Sequence, residues 1–267
     1  MPSLVDLAHA INWLYVASGF GVGFLVGLTG VGGGSLMTPL LVLLFGVHPV
    51  TAVGTDLLYA SVTKSGGSVV HAFHKTIDWK IVGRLALGSI PAAMLTLLAL
   101  KFMSVNSEAT KSAVTLALAP ALLLTALALV FRAPLMRFYE KRVGENDSVL
   151  TRRVTIAMGA VLGMLVTLSS IGAGALGVTF LIMLYPKLPI ARIVGSDIAH
   201  AVPLTLVSGL GHLWLGSVDL GMLGSLLLGS LPGIVLASNL APRSPEPILR
   251  YLLAAVLVVV SVRLVWK

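Results

Sequence analysis

The chain has 267 residues, of which 57% are hydrophobic and only 10% are charged, and its mean hydropathy is +1.00. Soluble domains carry about 25% charged residues, so this composition excludes an ordinary soluble domain and indicates a membrane protein. The net charge of +8 does not indicate nucleic-acid binding, because the basic residues lie between apolar runs and form no basic face. The absence of cysteine excludes disulfides and thiol chemistry.

Ten apolar segments follow one another along the chain, and they predict an all-α membrane protein. The first ten residues contain no Lys or Arg, so we expect the first segment to be retained and not cleaved as a signal peptide. The predicted segments are 11–28, 34–46, 52–73, 80–101, 111–131, 152–168, 174–186, 192–214, 220–240 and 248–266.

The second half of the chain repeats the first. Residues 54–56, Gly-Thr-Asp, recur as Gly-Ser-Asp at 195–197, and the Gly-Ser-Ile-Pro run at 88–91 recurs as Gly-Ser-Leu-Pro at 229–232. The offset is 141 residues for these runs and 140 residues upstream of them, where Pro49 recurs as Pro189, so one residue is inserted between Pro189 and Gly195. Since each repeat has an odd number of segments, the second copy must enter the membrane from the opposite side, which makes the repeat inverted. We therefore predict a first repeat at 1–131, a basic linker at 132–151 and a second repeat at 152–267.

The positions of the basic residues predict the orientation in the membrane. Placing the linker in the cytoplasm puts most of the Lys and Arg residues on that side, as the positive-inside rule requires. Both termini are then predicted on the outer, periplasmic side. The basic residues left outside are Lys101, Lys111, Arg263 and Lys267.

The second segment of each repeat is too short to cross a bilayer. A helix over 34–46 spans about 20 Å, against a hydrocarbon core of about 30 Å. A glycine-rich cluster precedes each short segment, at 30–34 and at 169–174. Paired short segments of this kind indicate broken or re-entrant helices that form a transport site. The alternative is that the glycines only allow close helix packing.

The start of each short helix would present free backbone N–H groups and the positive end of the helix dipole. Such an arrangement binds an oxyanion without needing a charged side chain. Hydroxyl side chains nearby would add further donors. The predicted substrate-binding residues are Gly30, Gly32, Gly33, Gly34, Ser35, Ser169, Ser170, Gly172 and Gly174, with Thr55 and Ser196 as hydrogen-bond donors behind them.

Four ionisable residues inside the segments are candidates for coupling or gating. Asp56 and Asp197 are either proton carriers or first-turn acids of helices capped by the preceding hydroxyl residue. Lys64 either attracts the anion or extends towards the interface. His200 either carries protons or makes a structural hydrogen bond.

Other repeated residues have ordinary explanations. We expect Asp78 and Asp219 to be acids at helix N-termini, and Pro91 and Pro232 to bend helices from within. No HExxH, GxSxG or P-loop sequence occurs, so we expect neither an enzyme nor a cofactor or metal.

Several runs resemble the TauE/SafE sulfite exporter family. In the first half these runs are Gly-Phe-Gly-Val-Gly-Phe from residue 19, the glycine cluster at 30–34 and Val-Gly-Thr-Asp at 53–56. In the second half, the runs at 172–174 and 194–197 are similar to that family's second repeat. The resemblance covers roughly residues 12–265. It implies secondary transport of sulfite, organosulfonates or related sulfur-containing anions across the bacterial cytoplasmic membrane. Ser170 and Ala173 replace glycines of the first cluster, so the half-sites are not equivalent.

We therefore expect a secondary anion transporter that works by alternating access, with proton coupling as one option. Its expected partners are a small anionic substrate and the lipid bilayer, without nucleic acid, and a homo-oligomer is left open. The alternatives are a passive anion channel, a transporter of a non-sulfur small anion, and an intramembrane enzyme or assembly factor.

Overall fold

The computed structural model describes residues 11–29, 34–103, 107–140, 148–240 and 246–265. These residues form ten α-helices and no β-strand, as the apolar segments predicted. The helices are α1 (Trp13–Thr29), α2 (Gly34–Leu44), α3 (Pro49–Phe73), α4 (Trp79–Phe102), α5 (Glu108–Glu140), α6 (Val149–Ser169), α7 (Ala175–Leu184), α8 (Ile190–Trp214), α9 (Leu220–Leu240) and α10 (Glu246–Val265).

The surface of the molecule is apolar and its interior is partly polar. Leu95 and Leu116 are 67% and 77% exposed, whereas Asp56 and Asp197 are fully buried. In addition, α4, α5, α6, α8 and α9 each contain a stretch long and apolar enough to cross a membrane. This distribution is that of a multi-pass membrane protein.

One helix extends beyond its predicted end. The apolar run stops at 131, but α5 continues through two arginines to Glu140. The first charged residue ends the apolar surface of a helix, and it does not by itself end the hydrogen-bonded ladder. The predicted linker at 132–151 is therefore partly helical at both ends, and 141–147 lie outside the described residues.

The two short helices lie inside the protein. The larger hydrophobic core contains Met37 and Leu41 of α2, and the second core contains Leu176 and Leu181 of α7. With 11 and 10 residues, α2 and α7 are even shorter than predicted. Because both are enclosed by other helices, irregular backbone at their ends need not contact lipid.

Helices of opposite repeats pack in matched pairs. α1 packs along α9 and α4 along α6, and these two pairs are equivalent under the repeat. α3 packs along α8 and α5 along α10, so each of these helices contacts its own counterpart. This is the pairing expected of two copies related by a two-fold axis. The inverted orientation of the copies in the membrane stays a prediction.

Glycines bring the α4–α6 and α1–α9 pairs into backbone contact. At seven glycines of these two pairs an added Cβ would collide with the facing helix backbone. Small residues are the usual means of close approach between membrane helices. The contacts are equivalent in the two pairs, from Gly159 to Leu85, Gly163 to Ser89, Gly19 to Leu226 and Gly23 to Ser230.

We expect Gly88→Ala to destabilise the α4–α6 pair, because the new Cβ would collide with the backbone carbonyl oxygen of Ile156. A backbone shift of this kind costs about 1–3 kcal/mol. Gly83→Ala is the matched control on the same helix, since a Cβ there meets open space. The thermal unfolding midpoint in detergent should fall for Gly88→Ala only. Equal midpoints for the two variants would contradict the close packing.

Candidate functional site

Four ionisable side chains meet where α3 and α8 pack against each other. Asp56 and Lys64 lie on α3, and Asp197 and His200 lie on α8, where Asp197 is the counterpart of Asp56. Both acids and the histidine are fully buried, and Lys64 is only 6% exposed. Charged side chains are rarely buried this completely unless they are paired. We call these four residues the central cluster.

Each acid of the central cluster contacts the short helix of its own repeat. Asp56 Oδ2 accepts hydrogen bonds from the backbone N–H and the hydroxyl of Thr38 in α2, at 3.1 and 2.5 Å. Asp197 lies against Gly177 of α7, where any Cβ would collide with its carboxylate. The duplicated acids therefore connect the long central helices to the two short helices.

The capping interpretation of the duplicated acids is wrong. α3 begins at Pro49 and α8 at Ile190, so Asp56 and Asp197 lie well inside their helices. The boundary residues are His48 and Pro189, and neither makes a side-chain capping bond. Capping therefore cannot explain why the acids are repeated.

Thr55 and Ser196 hold loops of the opposite repeat. The Asp219 N–H donates to Thr55 Oγ1 at 3.1 Å, and the Asp78 N–H donates to Ser196 Oγ at 2.8 Å. Ser196 also donates to the Arg192 carbonyl at 2.6 Å. These contacts commit both hydroxyls to the loops, so the geometry gives no support to their predicted role as substrate donors.

The expected helix N-terminal acids are confirmed. Asp78 Oδ1 accepts from the backbone N–H groups of Lys80 and Ile81, and Asp219 Oδ1 accepts from that of Met222. Asp78 also forms an ion pair with Arg192 at 3.3 Å, which ties the start of α4 to the start of α8.

Pro91 and Pro232 lie inside α4 and α9, as predicted. Two residues before each proline, the repeated Gly-Ser-x-Pro run has a fully buried serine, which is Ser89 in α4 and Ser230 in α9. Each serine faces a glycine of the paired helix. The run therefore marks the closest approach of the helix pair.

The turn before α7 has an irregular backbone. Ser170, Gly172 and Gly174 have φ angles of 58°, 124° and 130°, a region that glycine adopts far more readily than other residues. The Gly177 N–H donates to the Gly172 carbonyl at 3.1 Å, so the helical ladder starts only after the turn. The N–H groups of Ala175 and Leu176, the first two residues of α7, precede these bonds and are suited to an anion.

The two serines of this turn differ in role. Ser169 Oγ donates to the Leu165 carbonyl and accepts from the Ile171 N–H, so it stabilises the turn itself. The Ser170 hydroxyl is positioned to interact with the Asp56 carboxylate and does not stabilise the turn itself. Of the two, Ser170 is therefore the better candidate for contact with an anion.

Lys64 reaches across to the second repeat. Its Nζ donates to the Ala173 carbonyl of the same turn at 2.8 Å. Because the side chain is buried and bound in this way, the alternative in which Lys64 extends to the membrane interface is wrong. Its charge acts on Asp197, Asp56 and His200, so one cation lies among two acids and a histidine.

The first glycine cluster is not placed. Gly30, Gly32 and Gly33 lie outside the described residues, and so does the side chain of Ser35. Gly34 is the first residue of α2. The predicted half-site of the first repeat therefore stays a prediction, apart from the contact between α2 and Asp56.

Sequence reasoning missed three residues beside the central cluster. Thr38 binds Asp56, Ser89 binds His200 Nε2 at 2.8 Å, and the Tyr59 hydroxyl lies within range of the negative charge of Asp56. The repeat contained a signal for two of them. Ser89 belongs to the duplicated Gly-Ser-x-Pro run, and Tyr59 aligns with His200 at the same offset.

The comparisons with known proteins agree with this architecture. Residues 15–264 match the sulfite exporter TauE/SafE family. The chain is 40% identical to the probable membrane transporter protein YjnA of Bacillus subtilis (strain 168), over 94% of this chain and 98% of the relative. It is 27% identical to the probable membrane transporter protein YdhB of the same organism, over 86% and 91% of the two chains. A probable membrane transporter protein of Xylella fastidiosa (strain Temecula1 / ATCC 700964) is 26% identical over 94% of each chain.

No solved structure matches the chain. The family match covers nearly all of the sequence, and both repeats lie within it. The relatives named above are matched over most of their own lengths and carry the same description as membrane transporters. The chain therefore belongs to the sulfite exporter TauE/SafE family of membrane transporters.

Proposed function

We propose that the protein is a secondary transporter that moves sulfite, an organosulfonate or a related sulfur-containing anion across the bacterial cytoplasmic membrane by alternating access. One observation carries the proposal, which is the buried Lys64 ammonium bound to the Ala173 carbonyl at the turn before α7. It supplies a cation beside the free N–H end of a short helix. The name of the family supplies the class of anion.

An oxyanion would find several donors at this place. An ammonium has three N–H groups, and Ala173 takes only one of them from Lys64. The Ser170 hydroxyl and the first N–H groups of α7 lie on the same turn. In a buried site these interactions are stronger than they would be in water, because little solvent screens them.

The charges of the central cluster support coupling to protons. Asp56, Lys64 and Asp197 together carry one net negative charge when all three are ionised, and this charge repels the substrate anion. Binding of one proton to either acid makes the three residues neutral and allows the anion to bind. We therefore propose that a proton and the anion bind together and cross in the same direction.

Contacts at the helix ends support the proposed topology. Lys101 and Trp214, both assigned to the periplasmic side, form a cation–π contact at 4.0 Å. Asp78 and Arg192, both assigned to the cytoplasmic side, form the ion pair described above. We propose that both termini are periplasmic, that the loop around 141–147 is cytoplasmic, and that the two halves are inverted copies.

Counterflow in proteoliposomes tests the proposed function. Vesicles loaded with unlabelled sulfite should take up radiolabelled sulfite transiently, and methanesulfonate inside should drive the same exchange. Conductive sulfite flux without counterflow would identify a channel. Exchange of acetate or chloride in the absence of sulfite exchange would identify a carrier for a different anion. Vesicles without protein are the control.

A further inference from the structure

Two residues of different type, one of them a member of the central cluster, occupy equivalent positions in the two repeats. Tyr59 on α3 aligns with His200 on α8, and both are fully buried. Each is faced by the serine of the Gly-Ser-x-Pro run of the opposite repeat. His200 Nε2 is hydrogen-bonded to Ser89 Oγ at 2.8 Å, and the Tyr59 hydroxyl lies beside Ser230.

Each side chain can bond to more than its serine. His200 Nδ1 has no hydrogen-bond partner among the described residues, and the Tyr59 hydroxyl, beside Ser230, can donate one hydrogen bond and accept another. Buried polar groups in native proteins are nearly always paired, because an unpaired one costs stability. An imidazole nitrogen without a partner near Lys64, and a tyrosine hydroxyl near Asp56, indicate a site for a polar ligand.

We propose that Tyr59 and His200 contact the transported anion directly and make the site selective for groups with three oxygens, such as sulfite and sulfonates, over carboxylates. This inference rests on the proposed function. Lys64, the Tyr59 hydroxyl and His200 Nδ1–H would each serve one oxygen of the anion. A carboxylate is planar and has no oxygen in the third direction of the pyramidal group, so one buried donor would be left unpaired, which is the strongest basis for rejecting a ligand.

The contact with Ser89 is compatible with the tautomer that this arrangement needs. When the Ser89 hydroxyl donates to Nε2 of a neutral imidazole, the ring proton is held on Nδ1, which then becomes a donor. Ser89 belongs to the first repeat and His200 to the second, and the reverse holds for Ser230 and Tyr59. A relative movement of the repeats would therefore separate Tyr59 or His200 from the serine that orients it. The affinity of the site for the anion would then depend on the conformation of the protein.

Binding measurements on the purified full chain test the inference, with sodium methanesulfonate and sodium acetate as the probes in isothermal titration calorimetry. Tyr59→Phe removes one donor. His200→Gln keeps an amide near the position of Nε2, facing Ser89, but removes Nδ1. Each should weaken methanesulfonate binding by roughly 10- to 100-fold, the loss expected for one hydrogen bond to a charged group. Acetate affinity should change much less, so that the selectivity falls.

Two variants check the assignment of atoms. His200→Asn places an amide near the position of Nδ1, and it should recover part of the affinity that His200→Gln loses. Tyr185→Phe is the matched control, because Tyr185 is equally buried but its hydroxyl is bound to Thr155 at 2.7 Å. It should lower the unfolding midpoint and leave methanesulfonate affinity unchanged.

The outcomes separate this inference from the proposed function. If the wild type binds methanesulfonate, and Tyr59→Phe and His200→Gln bind it equally well, the inference is wrong and the proposed function stands. If the wild type neither binds methanesulfonate nor exchanges sulfite, both are wrong. Should His200→Gln fail to fold, Tyr59→Phe and Ser89→Ala decide the matter. Unchanged methanesulfonate affinity in both would overturn the inference.

Discussion

Lys64→Met is expected to abolish sulfite exchange in proteoliposomes. The variant removes the buried cation that binds the turn before α7, and methionine has nearly the same length without the charge. Losing one hydrogen bond to a charged group costs about 1.5–3 kcal/mol, and each 1.4 kcal/mol is about tenfold in affinity. We therefore expect exchange to fall by at least about tenfold and, at low sulfite concentration, below detection.

The loss must be separated from simple unfolding. Without Lys64 two buried acids lose their counter-charge, and breaking a buried ion pair by removing one partner costs about 3–5 kcal/mol. Combining Lys64→Met with Asp197→Asn removes one of these acids, and it should restore the unfolding midpoint but not transport. Lys80→Met, at the exposed start of α4, is the control and should transport normally. Active Lys64→Met protein would exclude the lysine from the anion pathway.

The helices were accessible from the sequence for a simple reason, since apolar runs report where the chain is surrounded by lipid or core. The duplication also indicates which residues have a counterpart in the other repeat. The contact from Thr55 to Asp219 and that from Ser196 to Asp78 are one contact in two copies. The sequence showed that these residues are repeated, but it did not show their partners.

The helix starts were harder to predict. In a segment that is apolar throughout, no change in polarity marks the first helical residue, so the sequence left a local cap open as one explanation of the Gly-Thr/Ser-Asp motif. The helices begin earlier, and the available signal was Pro49, at the first position of α3, where proline is favoured. The true contacts of the motif join residues more than a hundred positions apart, and local sequence contains no information about such contacts.

The role of Lys64 was open for the same reason. A lysine near the middle of an apolar segment is compatible with both an interfacial and an internal position. The deciding contact, Ala173, lies 109 residues away in the other repeat. Only the packing of α3 along α8 brings that turn to the lysine. The symmetry gave no help, because the counterpart of Lys64 is Thr205.

Asp56→Asn is expected to remove the effect of pH on anion binding. Asparagine can accept the two hydrogen bonds that Thr38 donates, so the attachment of α2 to α3 should survive the change. The amide does not ionise, and Lys64 with Asp197 then carries no net charge at any pH where both are ionised. In the wild type, by contrast, rising pH ionises the acids, restores the negative charge and should weaken binding of the anion.

Methanesulfonate is the appropriate probe for this experiment, since a sulfonate stays fully ionised across the range in which a buried carboxyl group titrates. Its dissociation constant should rise with pH in the wild type and stay nearly constant in Asp56→Asn. In proteoliposomes the variant should still show counterflow but should no longer accumulate substrate in response to a pH gradient. Asp197→Asn is the matched variant at the equivalent position, and it identifies which acid carries the proton. If both variants accumulate substrate like the wild type, the duplicated acids serve only to attach the short helices, and the coupling must lie elsewhere.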